Sequence, residues 1–422
     1  MKYLIKNATV ADKKTDILIE NGLSSEVGVN LADGGAKVID AEGLTALPAF
    51  VDMHTHLREP GFEKKETIET GTAAAVAGGY SAVCCMPNTK PVTDNAYIVK
   101  YIKDRAAEAN HCKVFPIGAI TKGLEGKELA EMGKMKSAGI IAVSDDGNPV
   151  ESGNVMRLAL EYAQDFGLLV ISHCEERSML DGGVANEGLN ATLAGLKGIT
   201  RVAEEVMVAR EILLAEALNT KVHIAHVSTV NSVELIRAAK ARGVKVTAET
   251  CPHYFAATDD LIRNYDTAAK VNPPLREERD RLAIIAGLKD GTLDAIATDH
   301  APHHFSDKDV EFNLAANGIS GLETAFALSY TCLVDSGEIT LADLSRLMTA
   351  RPAEILGIDA GAVEKGAVAD IVLADVNEKW TVDKNAFLSK GKNTPFDGRE
   401  VKGRVKYTFV NGELKFAKGE LV

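Results

Sequence analysis

Histidine and aspartate side chains stand at the ends of apolar segments in this 422-residue chain. His54 and His56 close the segment FVDMHTH, and the alternation of side chains along a strand would put both imidazoles on one face. Later segments end in further donors of the same two kinds: Asp145 and Asp146, His173, His226 and Asp299. Imidazole and carboxylate groups suit zinc or a related divalent ion, and this set is larger than one tetrahedral ion needs. The pattern predicts two metal ions that share a bridging carboxylate, a centre that serves hydrolysis.

The elements that would position these donors recur along most of the chain. Between about residues 50 and 356, apolar segments that predict strands lie at 50–56, 80–86, 114–120, 139–146, 168–174, 222–227, 244–250 and 294–300. Segments rich in good helix formers predict helices at 65–77, 154–166, 203–218, 232–241, 279–288 and 322–334. Eight strands alternating with helices predict an α/β fold, a (β/α)8 TIM barrel over residues 49–356. Because the carboxyl ends of barrel strands carry the reactive groups, the donors would meet at one rim.

The remaining histidines are expected to have lesser roles. His223 lies three positions before His226, so alternation predicts that it faces away from the barrel interior and is structural. His111 falls in a connection between a helix and a strand and is expected to be solvated. His300 should point away from the centre, and a structural role is the stronger expectation for His253 and His304 in loops at the rim. Buried packing is likewise expected for three thiols, those of Cys84, Cys85 and Cys174.

The two ends of the chain have a different sequence pattern. Residues 1–48 and 357–422 contain short alternating segments such as YLIKNATV and KYTFVNGELKF. Asn411-Gly412 between apolar segments predicts a hairpin turn. Because neither end has enough strands for a core of its own, the two are predicted to form one small composite β-sandwich domain beside the barrel.

The amino-acid composition limits the classes of partner that the protein is expected to bind. The chain carries 47 Lys and Arg against 60 Asp and Glu, a net charge of -13 that disfavours nucleic acid and anionic membranes. No segment is long and apolar enough for a signal peptide or a membrane span. Six cysteines without CxxC spacing predict reduced thiols. A cytoplasmic protein acting on a small molecule is the expectation.

Several motifs together resemble those of a known family: DMHTHLREPG (52–61), KKETIETGTAAAVAGGYSAV (64–83), MPNT (86–89), SDDG (144–147), SHCEE (172–176), AHVST (225–229), VNPPLRE (271–277), ATDHAPH (297–303) and FLSKGKNTPF (387–396). They resemble dihydroorotases of the bacterial type similar to the Bacillus enzymes, within the amidohydrolase superfamily. The resemblance implies a cyclic amidohydrolase that interconverts N-carbamoyl-L-aspartate and (S)-dihydroorotate in de novo pyrimidine biosynthesis.

The resemblance also implies a role for each metal donor. His54, His56 and Asp299 match the ligands of a first zinc ion, and His173 and His226 match those of a second. The bridging position in this subgroup is an aspartate, where many relatives have a carboxylated lysine. Alignment of the SDDG motif places it at Asp146, although the sequence alone leaves Asp145 open.

The substrate contacts are carried over in the same way. Arg58, Asn88 and His303 match the groups that bind the substrate carboxylate, and Asn272 matches a contact to the ring. His56 is counted with them as well as with the metal ligands. The loop GISGLE (318–323) also matches, but Asn317 precedes it where relatives often have an aromatic residue. Residues 301–318 are predicted to form a lid.

The implied mechanism is hydrolysis, or ring closure in reverse. In this hypothesis a hydroxide that bridges the two zinc ions attacks the ring carbonyl, and Asp299 takes its proton and passes it to the leaving nitrogen. The fork of the Arg58 guanidinium would bind a carboxylate through two hydrogen bonds, which lysine cannot do.

Two alternatives remain at this point. Hydantoinases, dihydropyrimidinases and allantoinases resemble the chain in their HxH motif, but they usually carry a lysine at the bridge. A catalytically silent dihydroorotase-like subunit that scaffolds aspartate transcarbamoylase should have lost metal ligands, and none is missing here. A homodimer and aspartate transcarbamoylase are further candidate partners.

Overall fold

The computed structural model describes residues 2–422. Its strands are β1 (Lys2–Val10), β2 (Lys13–Glu20), β3 (Leu23–Gly28), β4 (Lys37–Asp40), β5 (Thr45–Pro48), β6 (Phe50–Thr55), β7 (Tyr80–Cys85), β8 (Lys113–Pro116), β9 (Ala142–Ser144), β10 (Leu169–Ser172), β11 (Ala185–Asn186), β12 (Gly198–Ile199), β13 (Val222–Ile224), β14 (Val246–Thr250), β15 (Ala295–Ile296), β16 (Ile371–Thr381), β17 (Glu400–Val410), β18 (Glu413–Ala417) and β19 (Glu420–Leu421). Its α-helices are α1 (Ile68–Ala77), α2 (Ala96–Ala109), α3 (Met132–Ala138), α4 (Gly153–Asp165), α5 (Leu189–Ala194), α6 (Val202–Leu218), α7 (Val230–Ala241), α8 (Pro252–Ala256), α9 (Glu278–Asp290), α10 (Phe305–Lys308), α11 (Ala325–Ser329), α12 (Leu341–Met348) and α13 (Ala350–Leu356).

Eight parallel strands form the barrel, and each falls within or next to one of the predicted segments. Three of them pair in the order β6, β7, β8, and five in the order β15, β14, β13, β10, β9. Single parallel bridges join the two groups, Gly118 to Val143 on one side and Thr55 to His300 on the other. The ring of strands is thereby closed, and the predicted TIM-barrel fold is confirmed.

The barrel strands are buried on both faces, as parallel strands covered by helices must be. One buried cluster draws small and medium apolar side chains from strands all around the ring, including Val51, Ala82, Ala142, Ile171 and Ala225. A larger cluster joins the opposite faces of the strands to the surrounding helices. The thiols of Cys84, Cys85 and Cys174 are all buried in these layers, as predicted.

Most predicted helices differ from the observed ones by a few residues at their ends. The first begins at Ile68 rather than residue 65, because Thr67 caps it in a reciprocal pair with Thr70. The last was predicted at 322–334, but α11 begins at Ala325 and is followed by a π turn at Tyr330–Val334. The residues just before it are taken up by a turn, in which Thr324 N–H donates to the Gly321 carbonyl.

Strands from both ends of the chain form one nine-stranded sheet. The order is β19, β18, β17, β16, β5, β1, β2, β3, with β4 beside β1. Its own core includes Tyr3, Ile17, Ile371 and Phe409. The predicted hairpin turn joins β17 to β18, with Asn411 and Gly412 both at positive φ. The composite sheet confirms the predicted β domain built from both chain ends, while its sandwich form and the boundaries at 48/49 and 356/357 stay predictions.

The segment between β16 and β17 leaves this sheet and lies against the barrel. Its residues 388–393 contact Glu66, Glu323 and the loop that follows β15. Among residues 2–422, no helix has the length and apolar character that crossing a bilayer requires.

Candidate metal and substrate site

The two histidines at the end of β6 face two carboxylates that come from distant strands. His54 Nε2 lies 3.3 Å from Asp146 Oδ1 and 3.5 Å from Asp299 Oδ1. His56 Nε2 lies 3.0 Å from Asp299 Oδ1 and 3.5 Å from Asp146 Oδ2. All four side chains are buried. The barrel thus places both carboxylates between the same two imidazoles.

A second pair of imidazoles meets Asp146 from the other side. His173 Nδ1 lies 2.8 Å from His226 Nε2, and each of these nitrogens lies 3.6 Å from Asp146 Oδ1. Asp146 is therefore the side chain that both pairs share. Asp145 points elsewhere, since its carboxylate accepts hydrogen bonds from the backbone N–H groups of Ile120 and Thr121.

The cluster has the properties of a cation site. Ligand atoms of His54, Asp146 and His226 lie within 4.8 Å of one another, and so do those of His54, His56 and Asp299. His54 Nε2 and His173 Nε2 are buried without a hydrogen-bond partner. Burial alone would raise the pKa of Asp146 and of Asp299, but the surrounding imidazoles, led by His54, hold both pKa values below the ordinary range. Buried lone pairs and ionised carboxylates that converge in this way fit a divalent metal.

Three of the predicted site residues have a left-handed backbone that residues other than glycine seldom adopt. The φ angles are 62° at Arg58, 35° at His226 and 46° at Asp299. Each residue lies just beyond the regular part of a barrel strand, so the chain turns there and alternation no longer decides which way a side chain points. Such strain is concentrated at functional sites.

This turn explains why the prediction for His223 is wrong. Regular β13 ends at Ile224, so the alternation used to orient His223 does not extend to His226. His223 faces the same side as the cluster: its Nδ1 lies 2.8 Å from Thr247 Oγ1 and its Nε2 lies 3.3 Å from Glu249 Oε2. The other oxygen of Glu249 accepts from His54 Nδ1 at 2.8 Å.

Sequence patterns did not identify Glu249 as a site residue, although it is an acidic residue whose neighbours in the segment are buried. Its hydrogen bond orients His54 with Nδ1 toward Glu249 and Nε2 toward the cluster. Glu249→Gln is therefore expected to weaken metal binding about 10- to 100-fold, as loss of an outer carboxylate partner does. Competition with a chelator of known affinity measures this. His223→Gln, which leaves the bond between Glu249 and His54 in place, should have the smaller effect, and equal affinities in all three proteins would contradict the role.

Two of the predicted substrate contacts, Arg58 and His303, lie together with Lys65 in a group called here the anion pocket, and Asp307 Oδ2 lies 3.4 Å from Lys65 Nζ. Arg58 Nη2 lies 3.3 Å from His303 Nε2, and Arg58 Nε donates to the Pro302 carbonyl at 3.2 Å. Lys65, which the sequence analysis did not single out, places its Nζ 3.3 Å from His303 Nδ1. Burial and the neighbouring cations lower the pKa of His303 to about 2, so its imidazole is neutral. The pocket offers a guanidinium, an ammonium and an imidazole to an anion.

Two asparagines were also predicted to contact the substrate. Asn88 Oδ1 accepts from His56 Nδ1 at 2.9 Å, and its Nδ2 lies 3.4 Å from Asp146 Oδ2. Asn272 Nδ2 donates to Glu175 Oε1 at 2.9 Å, while its Oδ1 is buried without a hydrogen-bond partner. All the predicted site residues therefore lie at one rim of the barrel.

The other histidines take no part in the cluster. His300 points toward Glu66, with 3.5 Å between Nε2 and Oε2, and His304 caps α10. His253 is buried, and burial lowers its pKa to about 4. His111 is half-buried rather than solvated.

Comparisons with known proteins agree with this site. The family model described as Dihydro-orotase-like matches residues 43–232. The dihydroorotase of Acetivibrio thermocellus is 54% identical over 97% of this chain and 98% of its own length. That of Trichlorobacter lovleyi is 53% identical over 99% of this chain and 100% of its own length.

Among solved structures, the L-hydantoinase (dihydropyrimidinase) of Arthrobacter aurescens is similar over 100% of this chain and 97% of its own, with a TM-score of 0.89 and 26% identity. The L-hydantoinase thus shares the fold of this chain, while the sequence identity of this chain with the two dihydroorotases is twice as high. The chain belongs to the dihydroorotase family, hydrolases that act on cyclic amide bonds.

Proposed function

We propose that the protein interconverts N-carbamoyl-L-aspartate and (S)-dihydroorotate in de novo pyrimidine biosynthesis, with two zinc ions at the cluster. The observation that carries the proposal is the position of the Arg58 and His303 pocket beside a donor cluster in which Asp146 is shared. An anionic ring can bind there with its carboxylate in the pocket and its amide at the cluster. The relatives named dihydroorotase over nearly their full length support this choice of substrate.

The donor set would divide between two ions, with Asp146 available to both. His54, His56 and Asp299 would hold the first ion, and His173 and His226 the second. Zinc bound there would activate water and polarise the carbonyl that is attacked. Asp299 would hold the first ion through one oxygen and move a proton through the other, from the attacking water to the leaving ring nitrogen.

Arg58 is the residue proposed to bind the substrate carboxylate, because its guanidinium can make two parallel hydrogen bonds. Arg58→Lys keeps the charge and loses the fork, so KM for carbamoyl-aspartate should rise about 10- to 100-fold with little change in metal content. Steady-state kinetics of the two proteins measure this. A KM equal to that of the wild-type protein would remove Arg58 from the substrate site.

The remaining predicted substrate contacts would orient the ring of the substrate. Asn272 lies in the loop after β14 and has a buried acceptor at Oδ1 without a hydrogen-bond partner, and a ring N–H is a donor that would satisfy it. Asn88 bonds His56, whose other ring nitrogen faces Asp299. They would keep the substrate amide close to Asp299.

A substrate panel tests the proposal. Purified zinc-loaded protein is expected to cyclise carbamoyl-aspartate and to hydrolyse dihydroorotate, with far lower kcat/KM for hydantoin, dihydrouracil and allantoin. A preference for hydantoin or allantoin would favour the hydantoinase and allantoinase alternative, whose fold is the same. No turnover of any compound by protein that binds zinc would favour the silent scaffold.

Several expectations about the cellular setting stay predictions. They are the cytoplasmic location, a homodimer, and association with aspartate transcarbamoylase. Cross-linking and co-purification address the last two without reference to the catalytic site.

A further inference from the structure

A single buried amide joins the two ends of the loop that follows β15. Asn393 Nδ2 donates to the carbonyls of Ala301 at 3.1 Å and Gly318 at 3.0 Å. Its Oδ1 accepts from the backbone N–H of His303 at 2.8 Å and from Ser320 Oγ at 3.0 Å. Both donors and both acceptor positions of the amide are therefore used. Ala301 and His303 open the loop, and Gly318 and Ser320 close it.

The backbone at these ends is packed too tightly for larger residues. Gly318 has a φ of +145°, and a Cβ there would lie 2.6 Å from the Ala301 carbonyl oxygen. A Cβ on Gly391 would lie 2.5 Å from Pro302 Cβ and 2.8 Å from His303 N. The segment that carries Asn393 thus presses its backbone directly onto the start of the loop.

The same segment is anchored to the barrel at a second place. The carboxylate of Glu323 accepts from the backbone N–H groups of Leu388 at 2.9 Å and Ser389 at 3.1 Å. Glu66 accepts from Lys390 N–H at 3.2 Å and from the Ser389 hydroxyl. These bonds to the barrel fix the position of the segment that carries Asn393, and Asn393 contacts the loop from that fixed position.

The loop in turn carries the imidazole of the anion pocket. His303 Nε2 donates to the Asn317 carbonyl at 2.8 Å, so His303 is bonded to both halves of the loop and lies beside Arg58. Asn393 bonds the backbone of this same residue. An error of about 1 Å in the position of such a group can cost up to about 100-fold in catalysis.

We propose that Asn393 is a positioning residue for substrate binding, which clasps both ends of the loop 301–318 and thereby sets His303 against Arg58. Asn393 bonds none of the metal donors, and its contact with the pocket is to the backbone N–H of His303 rather than to the imidazole. The inference rests on the proposed function insofar as the pocket binds the substrate carboxylate.

The test compares Asn393→Ala, Asn393→Asp and the control Asn385→Ala, all zinc-loaded. Asn385 lies in the same segment, is exposed and lacks these bonds. Both Asn393 variants should raise KM for carbamoyl-aspartate about tenfold or more, with a smaller change in kcat and unchanged zinc content. Aspartate keeps the two acceptor bonds but sets a buried carboxylate oxygen against the carbonyls of Ala301 and Gly318, so its effect should be at least as large as that of alanine. Hydrogen exchange of backbone amides in 301–320 should accelerate in both variants and not in the control.

The outcomes are separable. Unchanged exchange in 301–320 together with an unchanged KM would overturn the clasp. Equal exchange increases throughout the barrel in both variants would show general destabilisation and overturn it as well. If the wild-type protein does not turn over carbamoyl-aspartate, the proposed function fails, whereas the exchange measurement still decides whether Asn393 holds the loop.

Discussion

Asp299→Asn is expected to reduce kcat about 100- to 10,000-fold in both directions of the reaction while much of the zinc remains bound. The amide keeps an oxygen for the metal, but it cannot accept the proton that must reach the leaving nitrogen. Asp299 Oδ1 lies 3.0 Å from His56 Nε2 and 3.5 Å from His54 Nε2, so its place in the cluster is fixed by two imidazoles. Stopped assays of turnover with elemental analysis of the same samples measure the two effects separately.

A variant that keeps near wild-type turnover would exclude Asp299 as the proton carrier. Loss of turnover together with all of the zinc would show only that Asp299 is a ligand. The expected result lies between these two, with metal retained and chemistry lost.

Asp146→Asn should have the second large effect, because Asp146 is the side chain shared by both imidazole pairs. Loss of its charge should weaken zinc binding by more than the roughly 10- to 100-fold that follows from loss of an outer partner, and activity should fall with it. Asp145→Asn is a matched control one residue away. An asparagine there can still accept from Ile120 and Thr121 N–H and donate to the Thr121 hydroxyl. Zinc titration of both variants shows which aspartate bridges the two ions. Loss of metal in the Asp145 variant alone would show that Asp145 is the bridging residue.

Sequence patterns located the barrel strands and the metal donors because both can be recognised within short stretches of sequence. Strand segments are short and apolar, and their ends carry the polar side chains, so His54, His173 and the pair Asp145 and Asp146 could be found from position alone. The choice between Asp145 and Asp146 could not be made in this way. It depends on which of two adjacent carboxylates meets the backbone N–H groups of residues 120 and 121.

The features that sequence patterns missed or placed wrongly depend on contacts between distant segments. His223 was placed on the wrong face because His226 lies beyond the regular strand, with a φ of 35°. Glu249 and Lys65 gain their roles only from the partners that the barrel brings to them, His54 and His303. Asn393 lies in the quoted segment FLSKGKNTPF, but its four bonds reach residues 73 to 92 positions earlier in the chain.

The dependence of the loop 301–318 on Asn393 has a consequence for biosynthesis of the enzyme. While a nascent chain is still shorter than about 390 residues, its barrel strands and all six metal donors have been made, yet the amide of Asn393 that bonds both ends of the loop is still missing. Metal uptake during translation could therefore precede substrate affinity. The growing polypeptide would acquire its binding pocket in one of its last steps, after the segment 387–396 has left the ribosome.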